Sequence, residues 1–226
     1  MKVFLNVGAK MKVERLIHWI FCRMKSGFVM KNRIILLFLS LLFVAAAQAD
    51  NRFGVKLARS AEKQIGVTTS YDPAYRRIAY PGGDVAKETG VCTDVVIRAY
   101  RDQGTDLQKE IHEDMQKHFA VYPKIWGMKT TDTNIDHRRV QNIQTFLKRH
   151  GKTLSNGSDF QPGDIVTWNL KDKGVQPHIG IVANDRNSKG VPLVIHNINS
   201  GVKKEDVLYT YTITGHYRYN KSPALR

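Results

Sequence analysis

The sequence predicts an α+β domain, with N-terminal helices packed on a C-terminal antiparallel sheet. Two patterns carry that reading. Between residues 50 and 151 apolar residues recur three and four apart, whereas after Gly151 they come in short runs separated by turn residues. Helices gathered ahead of strands, rather than alternating with them, point to antiparallel pairing. A third observation bounds the domain. The basic stretch Met30-Lys31-Asn32-Arg33 precedes an apolar run from Ile34 to Ala47, then Ala47-Gln48-Ala49. This is the layout of a secretory signal cleaved after Ala49, and the run is shorter than the roughly 20 residues of a spanning helix. Residues 30–49 are therefore expected to be a signal peptide and 50–226 a single domain, exported to the periplasm without stable membrane insertion. Residues 1–29 carry no pattern of their own and read as a mis-assigned extension upstream of a start at Met30.

The first helix is expected to be capped by Asp50 or Asn51 and to run to about Gln64, with Val55, Ala58, Ala61 and Ile65 at helical spacing and Gly66 as its stop. Thr68 to Gly83, rich in Pro and Gly, reads as a loop. A second helix begins near Gly90-Val91-Cys92, buries Val95, Val96 and Ala99, and ends before Gly104. Asp106 opens a third, through Leu107, Ile111, Met115 and Phe119. A fourth spans about Ile135 to His150 and stops at Gly151. Pro162-Gly163 then turns the chain into a strand at Asp164–Trp168. Further strands are expected at His178–Ala183, Pro192–Ile198, Val207–Ile213 and His216–Tyr219.

Composition narrows the function. Eight of the 35 Lys and Arg and one of the 20 Asp and Glu precede residue 50, so the mature part carries a net charge of +8. That favours an anionic partner such as the cell wall, but the cations are scattered, and no nucleic-acid signature is present. Removal of the signal leaves one cysteine, Cys92. In an oxidising compartment a lone cysteine excludes an intramolecular disulfide and a multi-cysteine metal site. It leaves a buried thiol, an intermolecular bridge or a nucleophile. His112-Glu113 and His118 do not make a zinc helix, because the two histidines are six positions apart and face different ways. No cofactor or metal is expected.

Cys92 falls in the first turn of the second helix, where free backbone N–H groups and the helix dipole favour a thiolate. The strands supply a base. His178 alternates with Gly180 and Val182 on one face, His196 with Val194, and the polar loop between the two strands is centred on Asn187. A hairpin symmetric about Asn187 places His178 directly opposite His196. One imidazole then takes the thiol proton and the other orients it. Gly180 would leave room beside them for a helix end or a substrate.

These residues carry a resemblance. Cys92 at a helix start, Pro162-Gly163-Asp164-Ile165-Val166, His178-Ile179-Gly180-Ile181-Val182 and Val194-Ile195-His196 stand in the order found in NlpC-type cell-wall cysteine peptidases. Tyr80-Pro81-Gly82-Gly83-Asp84-Val85, Gly90-Val91-Cys92-Thr93-Asp94, Asp136-His137-Arg138-Arg139 and Gly215-His216-Tyr217 resemble more closely the YijF-like group of exported proteins. The NlpC resemblance implies a papain-like core, a metal-free Cys92-His178-His196 triad and, as substrate, peptidoglycan stem peptides. It also implies a tyrosine upstream of the nucleophile that meets the substrate amine, for which Tyr71 and Tyr80 both qualify. Arg138 and Arg139 are candidates for binding stem-peptide carboxylates. The chain departs from NlpC enzymes at Val91, where they carry an aspartate. The function expected is an exported cysteine peptidase or amidase; the alternatives are an acyltransferase using the same Cys-His pair and a non-catalytic wall-binding protein.

Overall fold

A computed structural model describes residues 52–157 and 159–220. The proposed signal, its cleavage site and residues 1–29 lie outside them. Among the described residues four α-helices precede a six-stranded sheet. Helix α1 covers residues 52–62, α2 Cys92–Asp102, α3 Leu107–His118 and α4 Val140–His150. The strands are β1 Lys152–Thr153, β2 Ile165–Asn169, β3 Pro177–Arg186, β4 Pro192–Asn197, β5 Val202–Glu205 and β6 Thr212–Arg218. Their order across the sheet is β1-β6-β2-β3-β4-β5, and each neighbouring pair is antiparallel. The α+β architecture is as the sequence predicts. Among the described residues no helix is long and apolar enough to cross a membrane.

The sheet buries both faces, which is why its strands read as apolar runs rather than clean alternations. One face, with Ile165, Ile179, Ile181, Ile195 and Tyr217, packs under Val95, Ile111, Ile143 and Leu147 of the helices. The other carries Val166, Trp168, Val182 and Val194, covered by Phe160 and Leu208 from loops. The Trp168 indole N–H donates to the Leu208 carbonyl at 3.0 Å, fixing that cover. At the Pro162-Gly163 turn, Gly163 takes φ +83° and lies so close to Gly54 that an added Cβ would sit 2.4 Å from its Cα. The turn therefore requires glycine, and it ties α1 to the start of β2.

Three expectations need correction. The segment Val207–Ile213 is not one strand: residues 207–211 form a turn whose apolar side chains cap Trp168, and β6 starts at Thr212. The edge strands β1 and β5 were not expected, because each is short and mostly polar. The fourth helix does not begin at Ile135. Asp136–Arg138 form a 3₁₀ turn, Arg139 is extended at φ −111° and ψ 119°, and α4 starts at Val140. That break sends Arg138 and Arg139 in different directions.

The hairpin that carries the two histidines is also shifted. Ile181 pairs with Ile195 and Val182 with Val194, but beyond an irregularity Arg186 pairs with Pro192. The loop is not symmetric about Asn187. His196 consequently lies across from Gly180, with His178 two residues along as a diagonal neighbour. The space at Gly180 is filled by β4 rather than by substrate: an added Cβ would meet Val194 Cγ1 at 2.7 Å and His196 Cβ at 3.1 Å.

Candidate active site

Cys92 is the first residue of α2, and Val91 before it is extended, with φ −112° and ψ 179°. What holds this helix start in place is Asp94. Its Oδ2 accepts from the Val91 backbone N–H at 2.7 Å, and its two oxygens accept from Arg138 Nε and Nη2 at 3.1 and 3.0 Å. Arg138 also donates to the Ala74 and Asp72 carbonyls. Both side chains are buried, at 2% and 5% exposure. One buried fork thus joins the helix that begins at Cys92, the loop that holds Tyr71, and the 3₁₀ turn. Removing one partner of such a pair leaves an uncompensated charge in the interior and costs about 3–5 kcal/mol. Arg138→Met is expected to lower stability by that order in urea denaturation; a loss below about 1 kcal/mol would show that the pair does not hold this junction.

The thiol is buried and faces three backbone N–H groups: its own, that of Thr93, and that of Ile179 on β3. Burial outweighs these donors and pushes the thiol up to about 12, with Asp94 adding to the rise. The helix N-terminus therefore does not produce a resting thiolate. The Tyr71 hydroxyl is within hydrogen-bonding reach of the sulfur, and burial, then Cys92, raises that phenol. Tyr80 is elsewhere: it lies edge-on to His112, ring centroids 5.0 Å apart.

His178 follows Pro177 at the start of β3. Strand alternation turns its ring toward Trp168, its partner on β2, with centroids 5.9 Å apart. Cys92 meets the same strand one residue later, through Ile179. Among the described residues no hydrogen bond joins thiol and imidazole; they approach consecutive residues at the strand end where the groove opens. His178 Nε2 lies 3.0 Å from His196 Nδ1, and the rings are near perpendicular at 85°. Burial, reinforced by His196, lowers His178 to about 3, so the imidazole is neutral at pH 7. Burial also lowers His196, against the pull of Glu205. The pair sits in register because Asn197, next to His196, donates to the carbonyls of Ser70 and Gly90 at 3.2 and 3.1 Å, fastening β4 to the loops leading into α2.

Cys92 opens onto a groove of about 420 Å³ lined by Tyr71, Ile125, Trp126, Arg139, Val175 and Pro177 among others. Ile125 and Val175 on its rim are 66% and 78% exposed. The two arginines differ. Arg138 borders the groove, but its guanidinium is spent on Asp94. Arg139 stacks 4.2 Å over the Trp126 ring, contacts the Met128 sulfur, and has no carboxylate within ion-pair distance among the described residues. Of the two groove arginines, Arg139 is the one without a carboxylate partner among the described residues. Residues that sequence reasoning missed are Trp126 and Glu205, which had no pattern around them, and the buried partnership of Asp94, which in the sequence is no more than a first-turn helix acid.

A family described as "Domain of unknown function (DUF1287)" matches residues 58–219. The chain belongs to this family. The DUF1287 match runs from α1 past the end of β6, so it takes in Tyr71, Cys92, Asp94, Arg138, Arg139, His178 and His196 together. "Uncharacterized protein YijF" of Escherichia coli (strain K12) is 53% identical over 179 residues, covering 78% of this chain and 85% of that protein. No solved structure matches the chain.

Proposed function

We propose that this DUF1287 domain is an exported cysteine hydrolase of the NlpC type, built on a papain-like core, that cleaves amide bonds in peptidoglycan stem peptides. The observation that carries the reading is that Cys92 meets β3 one residue away from His178. The single thiol of the described residues stands at a helix start, against the strand residue that follows His178, and His178 is held by His196 at 3.0 Å.

The resting pair is thiol and neutral imidazole, so the chemistry is general-base catalysis rather than attack by a preformed thiolate. Entry of the substrate carbonyl brings sulfur, base and acceptor together. The sulfur bonds to the carbonyl carbon as its proton passes to His178, and the oxyanion is met by the first-turn N–H groups of Cys92 and Thr93. His178 then returns the proton to the leaving amine as the C–N bond breaks, giving a thioester that water hydrolyses. Arg139 binds a stem-peptide carboxylate, and Trp126, Ile125 and Val175 take the apolar portions of the stem.

Digestion of purified sacculi, with products read by mass spectrometry, tests this. Wild type is expected to release new stem-peptide fragments, Cys92→Ala none, and Arg139→Met the same fragments with a raised KM. Conjugates formed only on adding amines would indicate acyl transfer instead. Unchanged profiles with wild type would overturn the hydrolase reading and leave wall binding.

A further inference from the structure

We propose that Glu205 is a positioning residue that decides which nitrogen of His178 is free to act as a base. The inference rests on the reading above only in assigning His178 to Cys92; the proton arrangement follows from geometry.

His196 is 1% exposed, and its Nε2 finds no well-aligned hydrogen-bond acceptor among the described residues. Glu205 Oε2, reaching from β5, lies 3.1 Å from that nitrogen, off the ideal line. Pairing explains the reach. His196 stands across from Lys203 on β5, and Glu205 two residues on shares the face of His196 and Val194. A carboxylate can only accept. A lone pair on the buried Nε2 would face the carboxylate's own lone pairs, so Nε2 carries the proton.

The rest is forced in sequence. Burial, with Lys203 adding to it, outweighs the pull of Glu205, so His196 is neutral and its Nδ1 holds a lone pair. His178 Nε2, 3.0 Å away, must then be the donor. His178 is neutral as well, which leaves its Nδ1 unprotonated. That nitrogen makes no hydrogen bond among the described residues. When Nδ1 takes up a proton, the positive charge is shared along Nε2–H toward His196, with the Glu205 carboxylate at the far end. An orienting carboxylate does the same for a catalytic imidazole elsewhere, acting here through one more ring.

The test is nitrogen NMR of the purified protein labelled with ¹⁵N-histidine, as wild type, Glu205→Leu and Glu205→Gln. Wild type is expected to show His178 protonated at Nε2 and bare at Nδ1. In Glu205→Leu both histidines are expected to shift toward mixed tautomers. Glu205→Gln, whose carbonyl still accepts, is expected to keep the wild-type pattern. Fragment release should fall about tenfold in Glu205→Leu, in kcat rather than KM, and less in Glu205→Gln. Glu205 is partly exposed on an edge strand, and thermal melts confirm that the variants fold. An unchanged tautomer pattern in folded Glu205→Leu would overturn the proposal. A tautomer shift in a protein that cleaves nothing would uphold Glu205 and sink the hydrolase reading instead.

Discussion

Replacing His178 with alanine is expected to reduce fragment release from sacculi by two to four orders of magnitude, on the order of what a positioned general base contributes. The loss should fall on kcat, because no groove-lining side chain is removed. The neutral resting pair sharpens the expectation. Were the thiol already ionised, an alanine at 178 would still leave a nucleophile; with burial holding the thiol up near 12, the proton must have somewhere to go as the sulfur attacks. His196→Ala should cost less, since it orients the base without touching the proton. Equal rates for wild type and a folded His178→Ala would remove His178 from the mechanism.

Acid is expected to destabilise the protein at a pH where most domains hold. His178 and His137 are both buried and lowered to about 3, His178 by burial and then His196, His137 by burial and then Arg138 and Arg101. In the unfolded chain each titrates near 6.5. The unfolded state therefore binds more protons between these values. The stability linked to the two rings is fully present above about 6.5 and drains away as the pH falls toward 3. Each ring contributes about 1.4 kcal/mol per pH unit in that window, so the two together remove about 5 kcal/mol by pH 4.5. That is comparable with the whole net stability of a small domain. Urea midpoints measured from pH 7.5 to 4.5 should fall steeply, and His178→Asn should flatten the slope by roughly one proton. A flat profile would show that these rings are hydrated and free to charge.

Much of the site was legible because its residues announce themselves by exclusion or by period. Cys92 stands out once the expected signal segment is set apart, and alternation gives each histidine's face on its own strand, which the pairing of Ile181 with Ile195 makes a common one. The register was not legible. Counting to the middle of the polar loop assumes uniform pairing about Asn187, whereas Arg186 pairs with Pro192 and, past an irregularity, Val182 with Val194, which moves the partners nearest the histidines by two. The rings still meet because side chains of this length reach a diagonal neighbour.

Arg138 and Arg139 show a different limit. As consecutive residues at an expected helix start they looked alike, yet a break in the backbone at Arg139 buries one on Asp94 and lays the other across Trp126. Only a partner 44 residues away distinguishes them. Glu205 stayed hidden for a related reason. Val202-Lys203-Lys204-Glu205 has one apolar residue, too few to reveal a strand, so nothing in the sequence places its carboxylate beside His196. Tyr71 and Tyr80, equal in the sequence, are separated by the fold: only Tyr71 reaches the thiol.

That Cys92 carries the acyl group is the centre of the account, and intact-mass measurement tests it most directly. Protein mixed with soluble stem-peptide fragments is quenched in acid and weighed, with the modified peptide located by fragmentation. The account predicts a mass gain equal to the acyl part of the fragment, mapped to Cys92, present in wild type and absent from Cys92→Ala. Cleavage by Cys92→Ala at the wild-type rate, or an adduct on any other residue, would contradict it.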